Sequence, residues 1–74
     1  MNKETEIIVG IDISKNRLDI QIQEDGPYYS CGNDVIDIGK LVEKLRKIQP
    51  ALIVLEATGG YEKGVVSALV EANL

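Results

Sequence analysis

The stretch EIIVGIDISKNRLDIQIQ, residues 6–23, decides how the chain is read. Ile7-Ile8-Val9-Gly10-Ile11-Asp12-Ile13 is an apolar run of strand length, apolar on both faces and therefore expected at the centre of a sheet. Asp12 interrupts it. A buried, unpaired carboxylate costs several kcal/mol or takes up a proton, so Asp12 requires a hydrogen-bonding partner, a bound cation or an open edge of the sheet. Ser14-Lys15-Asn16-Arg17 is a short polar turn, and Leu18-Asp19-Ile20-Gln21-Ile22-Gln23 alternates apolar and polar side chains with period two. A link this short makes the two strands an antiparallel hairpin.

Working outward, Glu24-Asp25-Gly26-Pro27 is a second turn, and Tyr28–Cys31 a short third strand near an edge. Asn33 or Asp34 can cap a helix whose apolar stripe is Ile38, Leu41, Val42, Leu45 and Ile48. Lys44, Arg46 and Lys47 suit its negative end, and Pro50 stops it. Ala51-Leu52-Ile53-Val54-Leu55 reads as a buried strand. It is reached through a helix and so is expected parallel to the first. Glu56 ends it. Thr58 is then placed to cap a second helix through Val65, Val66, Leu69 and Val70, with Asn73 as a left-handed terminator. The expected order is β-β-β-α-β-α, an α/β mixed sheet that should continue into a fifth strand. The 74 residues therefore read as the front part of a larger domain.

Composition sets bounds on function. Hydrophobic residues at 45% and charged residues at 27% describe a globular chain. A core this small supplies about 3–5 kcal/mol. Cys31 is the single cysteine and there is no histidine, which excludes an internal disulfide and a Cys/His zinc site. A reducing cytoplasm fits best. The N-terminal residues lack a signal peptide's apolar segment, and no window approaches the roughly 18 apolar residues of a membrane span. The net charge of −4 argues against a surface that grips nucleic acid unaided.

Side chains alternate across a strand, so Asp12 shares a face with Ile8 and Gly10, and Glu56 one with Leu52 and Val54. If the first and fourth strands are parallel neighbours, both carboxylates lie toward the strands' C-terminal ends and can converge. A divalent cation would relieve their repulsion, and oxygen donors without imidazole or thiolate favour Mg²⁺ or Mn²⁺. Each acid also has an ordinary reading, Asp12 as a turn cap and Glu56 as a solvated loop residue. Thr58-Gly59-Gly60 allows close backbone approach to a phosphate or metal, and Lys15 can reach a phosphate from the first turn. Tight turn geometry and an exposed lysine explain the same residues without a ligand.

GIDISKNRLDIQI and LIVLEATGGYE, with the spacing between them, resemble the N-terminal domain of the DEDD transposases, bacterial insertion-sequence recombinases with a ribonuclease H-like domain similar to the resolvase RuvC. The resemblance runs from about Ile7 to Leu74 and is most specific at Glu56–Glu62 taken together with Gly10–Lys15. It implies that residues 1–74 are part of such a domain, with Asp12 and Glu56 the first two acids of a D-E-D-D set holding Mg²⁺ for cleavage and transfer of DNA strands. The other two aspartates, and a second domain with a nucleophilic serine, would lie beyond Leu74, so these residues alone are expected to be inactive. DNA is the implied partner, joined in the longer protein by a guide RNA. An unpaired sheet edge also suggests a homo-oligomer. Asn73 stands where the family usually has glycine. Two other readings remain. One is a sugar-kinase or actin-type nucleotide domain, although Lys15-Asn16-Arg17 lacks the glycine and threonine of its phosphate hairpin. The other is a non-catalytic α/β interaction module.

Overall fold

A computed structural model describes residues 6–74, and all that follows concerns them. The elements are β1 (Ile8–Ile13), β2 (Arg17–Ile22), β3 (Tyr28–Gly32), α1 (Val35–Ile48), β4 (Leu52–Ala57) and α2 (Lys63–Glu71). They form one four-stranded mixed sheet in the order β3-β2-β1-β4, an α/β fold. β1 is central, antiparallel to β2 and parallel to β4, with β3 antiparallel to β2 at the far edge.

Local chemistry explains each boundary. The Ser14 N–H donates to the Arg17 carbonyl at 2.9 Å, closing the first hairpin over Lys15 and Asn16. The second hairpin turns over Gln23–Gly26, and the Ile22 N–H meets the Pro27 carbonyl at 2.9 Å. Asp34 caps α1 by accepting from the Asp37 N–H, an arrangement worth about 1 kcal/mol in comparable caps. Gln49 leaves α1 in a left-handed conformation immediately before Pro50. At the end of α2, Asn73 has φ 61°. Its N–H donates to the Val70 carbonyl while Leu74 N–H reaches back to Leu69, the paired bonds of a left-handed helix terminator.

One face of the sheet carries the core. Val9, Ile11 and Ile13 of β1 and Leu18 and Ile20 of β2 pack with Ile38, Leu41, Val42 and Leu45 of α1 and Val65 and Leu69 of α2. Both helices therefore lie on one side. The other face, with Ile8, Gly10 and Asp12, has no helix against it, so β1 is central as its apolar pattern suggested but is covered on one face only. The expectation of a buried strand at Ala51–Leu55 is corrected. β4 is an edge strand whose Leu52 and Val54 are 54% and 44% exposed, because they point to that uncovered face. Only Ile53 and Leu55 lean on the core.

Thr58 does not cap α2. The helix starts at Lys63 after Glu62, whose side chain makes no capping bond. Gly59 and Gly60 both adopt φ 79°, a left-handed conformation that cannot propagate a right-handed helix, so the helix begins only after them. The Tyr61 ring folds back over this turn, and a β-carbon at Gly59 would lie 2.8 Å from its Cε2.

Leu45 is fully buried at the centre of the helix–sheet contact. Leu45→Ala should cost about 2–5 kcal/mol, comparable with the whole stability of a domain of this size, and should abolish the cooperative urea transition followed by circular dichroism. Val35→Ala, at a position 87% exposed, should stay within about 0.5 kcal/mol of the wild type.

Candidate functional site

The uncovered face carries a row of acids. Asp12 of β1 is the register partner of Glu56 on β4 and, on its other side, of Asp19 on β2. Neighbouring strands lie about 4.8 Å apart, and directly paired residues point to the same face, so the row crosses three strands. Asp12 and Glu56 are exposed and sit near the C-terminal ends of parallel strands, as their parity suggested. A cleft of about 360 Å³ runs beside them, lined also by Gly10, Asp19, Tyr28 and Val54. The absence of a side chain at Gly10 keeps its floor open, with nothing within 4 Å of where a β-carbon would stand.

The puzzle of a carboxylate inside an apolar strand resolves here. Asp12 belongs to the face that no helix covers, so water solvates it and no desolvation cost needs compensation. A polar residue at this register position is compatible with folding only because α1 and α2 both chose the opposite side.

Asp19 is held differently. Its carboxylate accepts from the Ser30 hydroxyl at 2.6 Å and from the Tyr28 hydroxyl at 3.3 Å, and Arg17 Nε lies 3.2 Å from Oδ1. The Ser30 hydrogen bond, with help from Arg17 and Tyr28, holds it below the ordinary aspartate value of 3.8 despite some desolvation. These partners come from β2 itself and from β3, on the side away from Asp12. Asp19 thus adds negative charge beside the Asp12–Glu56 pair while its oxygens are engaged elsewhere. Among the described residues no three His, Cys, Asp or Glu side chains are grouped to hold a metal ion, and the candidate donor set is the pair.

The other residues singled out from sequence lie around this end of the sheet without lining the cleft. Lys15 is exposed at the tip of the first hairpin. Thr58 continues from β4, its N–H 3.4 Å from the Ile13 carbonyl, and Gly59 and Gly60 form the exposed turn beyond. What joins these two loops leaves no local signature in the sequence. The Asn33 side-chain amide donates to the carbonyls of Ser14 at 2.9 Å and Tyr61 at 3.1 Å, and its backbone N–H to Asn16 at 3.1 Å. One side chain from the β3–α1 connection thereby ties the hairpin that follows Asp12 to the loop that follows Glu56. Asp19 was also missed, although its place was derivable: a hairpin closed by Ser14 and Arg17 necessarily pairs Asp12 with Asp19. Cys31 is half-buried beside α1, and burial, reinforced by nearby Asp37, pushes its thiol up, away from a reactive thiolate.

No protein-family model matches the chain, and no curated protein matches it. No helix among the described residues is long and apolar enough to cross a membrane.

Because Asp19 has a lower pKa folded than unfolded, the stability it contributes is complete above its ordinary value of 3.8 and is lost as pH falls through the folded value. Ser30→Ala removes the largest cause. An NMR titration of the Asp19 carboxyl carbon should then show its midpoint moving up toward the ordinary value, with a shallower loss of stability on the acid side.

Proposed function

We propose that this chain supplies the first two acidic ligands, Asp12 and Glu56, of a Mg²⁺-dependent site for cutting and joining DNA strands, on a ribonuclease H-like sheet of the DEDD transposase kind. The observation that carries the reading is their direct register pairing on adjacent parallel strands, on the uncovered face and near the strands' C-terminal ends. Open α/β sheets characteristically bind ligands outside the C-terminal ends of their strands. The sequence resemblance at Gly10–Lys15 and Glu56–Glu62 supplies the specific chemistry.

The donor chemistry fits a hard cation. Two exposed carboxylates with no imidazole or thiol lining the cleft match Mg²⁺ or Mn²⁺, which are commonly bound through one or two carboxylates, waters and substrate phosphate oxygens. Held by Asp12 and Glu56, such a cation would supply the Lewis-acid stabilisation of oxyanion charge that phosphodiester chemistry requires. Asp12 and Glu56 provide the negative charge that attracts the cation and orient their oxygens from a rigid ladder. Asp19 reinforces that field. Asn33 holds the two flanking loops together, so that Lys15 and the Thr58–Gly60 turn border the site from fixed positions. The left-handed glycine turn presents backbone without side chains, which suits the approach of a phosphate.

A surface of net charge −4 opposes polyanion binding, so DNA affinity on this reading depends on cations from the rest of a larger protein and from bound metal. Two carboxylates are half of the ligand set the family resemblance implies, and the chain by itself should cleave no DNA. Mg²⁺-dependent nicking by these 74 residues alone would contradict that division of labour.

In a ¹⁵N-resolved NMR titration, millimolar Mg²⁺ or Mn²⁺ should perturb signals around Asp12 and Glu56 selectively, and Asp12→Asn should remove the effect. The same substitution relieves carboxylate repulsion, so the metal-free chain should keep or gain stability in urea. A loss beyond about 1 kcal/mol, with no localised metal response in the wild type, would make Asp12 a structural residue and end the reading.

A further inference from the structure

The β1–β4 ladder loosens just beyond the two acids. Asp12 and Glu56 pair one step before its last pair, Ile13 with Ala57, and the next bond, from the Thr58 N–H to the Ile13 carbonyl, is long at 3.4 Å. Past it, among the described residues, no direct hydrogen bond joins the hairpin at Ser14–Asn16 to the loop at Gly59–Glu62. Motion of these two loops would therefore change the separation of the carboxylates.

Asn33 closes that gap. Its amide nitrogen donates to the Ser14 carbonyl at 2.9 Å and to the Tyr61 carbonyl at 3.1 Å, which uses both of its hydrogens. An oxygen in the same place would face two acceptors, so the orientation of the amide is fixed by its partners. The residue is itself anchored from both sides. Its backbone N–H donates to the Asn16 carbonyl at 3.1 Å. Before it, the Gly32 N–H donates to Asp37 Oδ2 at 2.7 Å, and after it Asp34 accepts from the Asp37 N–H at 2.9 Å. A β-carbon at Gly32 would lie 2.5 Å from Asp34 Oδ2 and 2.9 Å from Asp37 Oδ2, so a side chain there would displace both carboxylates. Asn33 is thus fastened to the first turn of α1 and to the first hairpin independently of its side-chain bonds.

We propose that Asn33 is a positioning residue of the carboxylate site: by tying Ser14 to Tyr61 it sets the separation of Asp12 and Glu56, and so couples cation binding to closure of the two loops. This role presupposes that the pair binds a cation. It also opposes what charge alone would do. Asn33→Asp is nearly isosteric and adds a negative charge at this end of the sheet, which by Coulomb attraction would tighten a cation. In the positioning role it sets an acceptor against two carbonyls, forces the loops apart and weakens the cation. The coupling is reciprocal, so a cation that holds the strands together also holds the Asn33 bonds closed.

Mg²⁺ titrations of the 74-residue chain by ¹⁵N-resolved NMR test this, with circular dichroism and urea unfolding reporting the fold and stability of each variant. Asn33→Ala and Asn33→Asp should both weaken Mg²⁺ binding at Asp12 and Glu56 by about threefold or more. Groups that directly orient metal ligands commonly contribute about tenfold, and Asn33 acts one step further out. A purely structural role would lower the urea midpoint and leave the affinity of the folded chain unchanged. In the wild type, which requires no variant to fold, scalar couplings across the hydrogen bonds should link the Asn33 side-chain amide to the Ser14 and Tyr61 carbonyl carbons. Saturating Mg²⁺ should slow solvent exchange of that amide by about the factor that Asn33→Ala loses in affinity. No localised Mg²⁺ response in the wild type overturns the metal reading and the positioning role together. A wild-type response that either variant retains within about threefold, or that Asn33→Asp strengthens, overturns the positioning role and leaves the metal reading standing. Should a variant fail to fold, missing couplings, or amide exchange indifferent to Mg²⁺, overturn it equally.

Discussion

The parallel ladder between β1 and β4 is the constraint on which the rest depends. Its register, Ile8↔Leu52 through Ile13↔Ala57, decides simultaneously which side chains enter the core and which acids become neighbours. Side chains alternate with period two, so a slip of one residue in β4 would turn Ile53 and Leu55 out to water and Glu56 toward the helices. The hydrophobic cost of that exchange enforces the pairing of Asp12 with Glu56. The proposed chemistry is thereby held in place by apolar residues on the opposite side of the sheet.

The second consequence is asymmetry. α1 and α2 share one side, and their stripes cover Val9, Ile11, Ile13, Leu18 and Ile20. This leaves a bare face on which Asp12 is solvated, Gly10 leaves space and Asp19 can build its own network with Ser30, Tyr28 and Arg17. A small one-sided core and a solvated carboxylate row are two results of the same placement of two helices.

The loops at the C-terminal ends of β1 and β4 are held by a few hydrogen bonds. Asn33 joins them, and Gly59 and Gly60 complete the turn in a conformation other residues adopt only under strain. This gives the end of the sheet that bears Asp12 and Glu56 more definition than its exposure would suggest. A preorganised rim is what a site for a phosphodiester would need, since positioning contributes much of the catalysis in such chemistry.

Element order, hairpin, the stripe of α1, a cap at Asn33 or Asp34 and the left-handed Asn73 were all legible in the sequence, because each rests on interactions within a few residues or on strict periodicity. The parity of Asp12 and Glu56 was legible for the same reason. Thr58 misled, since a good capping residue stood before two glycines whose left-handed backbone delayed the helix to Lys63. The face that β1 leaves bare, the edge position of β4, and the partners of Asp19 and Asn33 were decided by tertiary structure alone. Apolar residues on both sides of a strand state a capacity to be buried, and only the packing of distant helices determines which side is used.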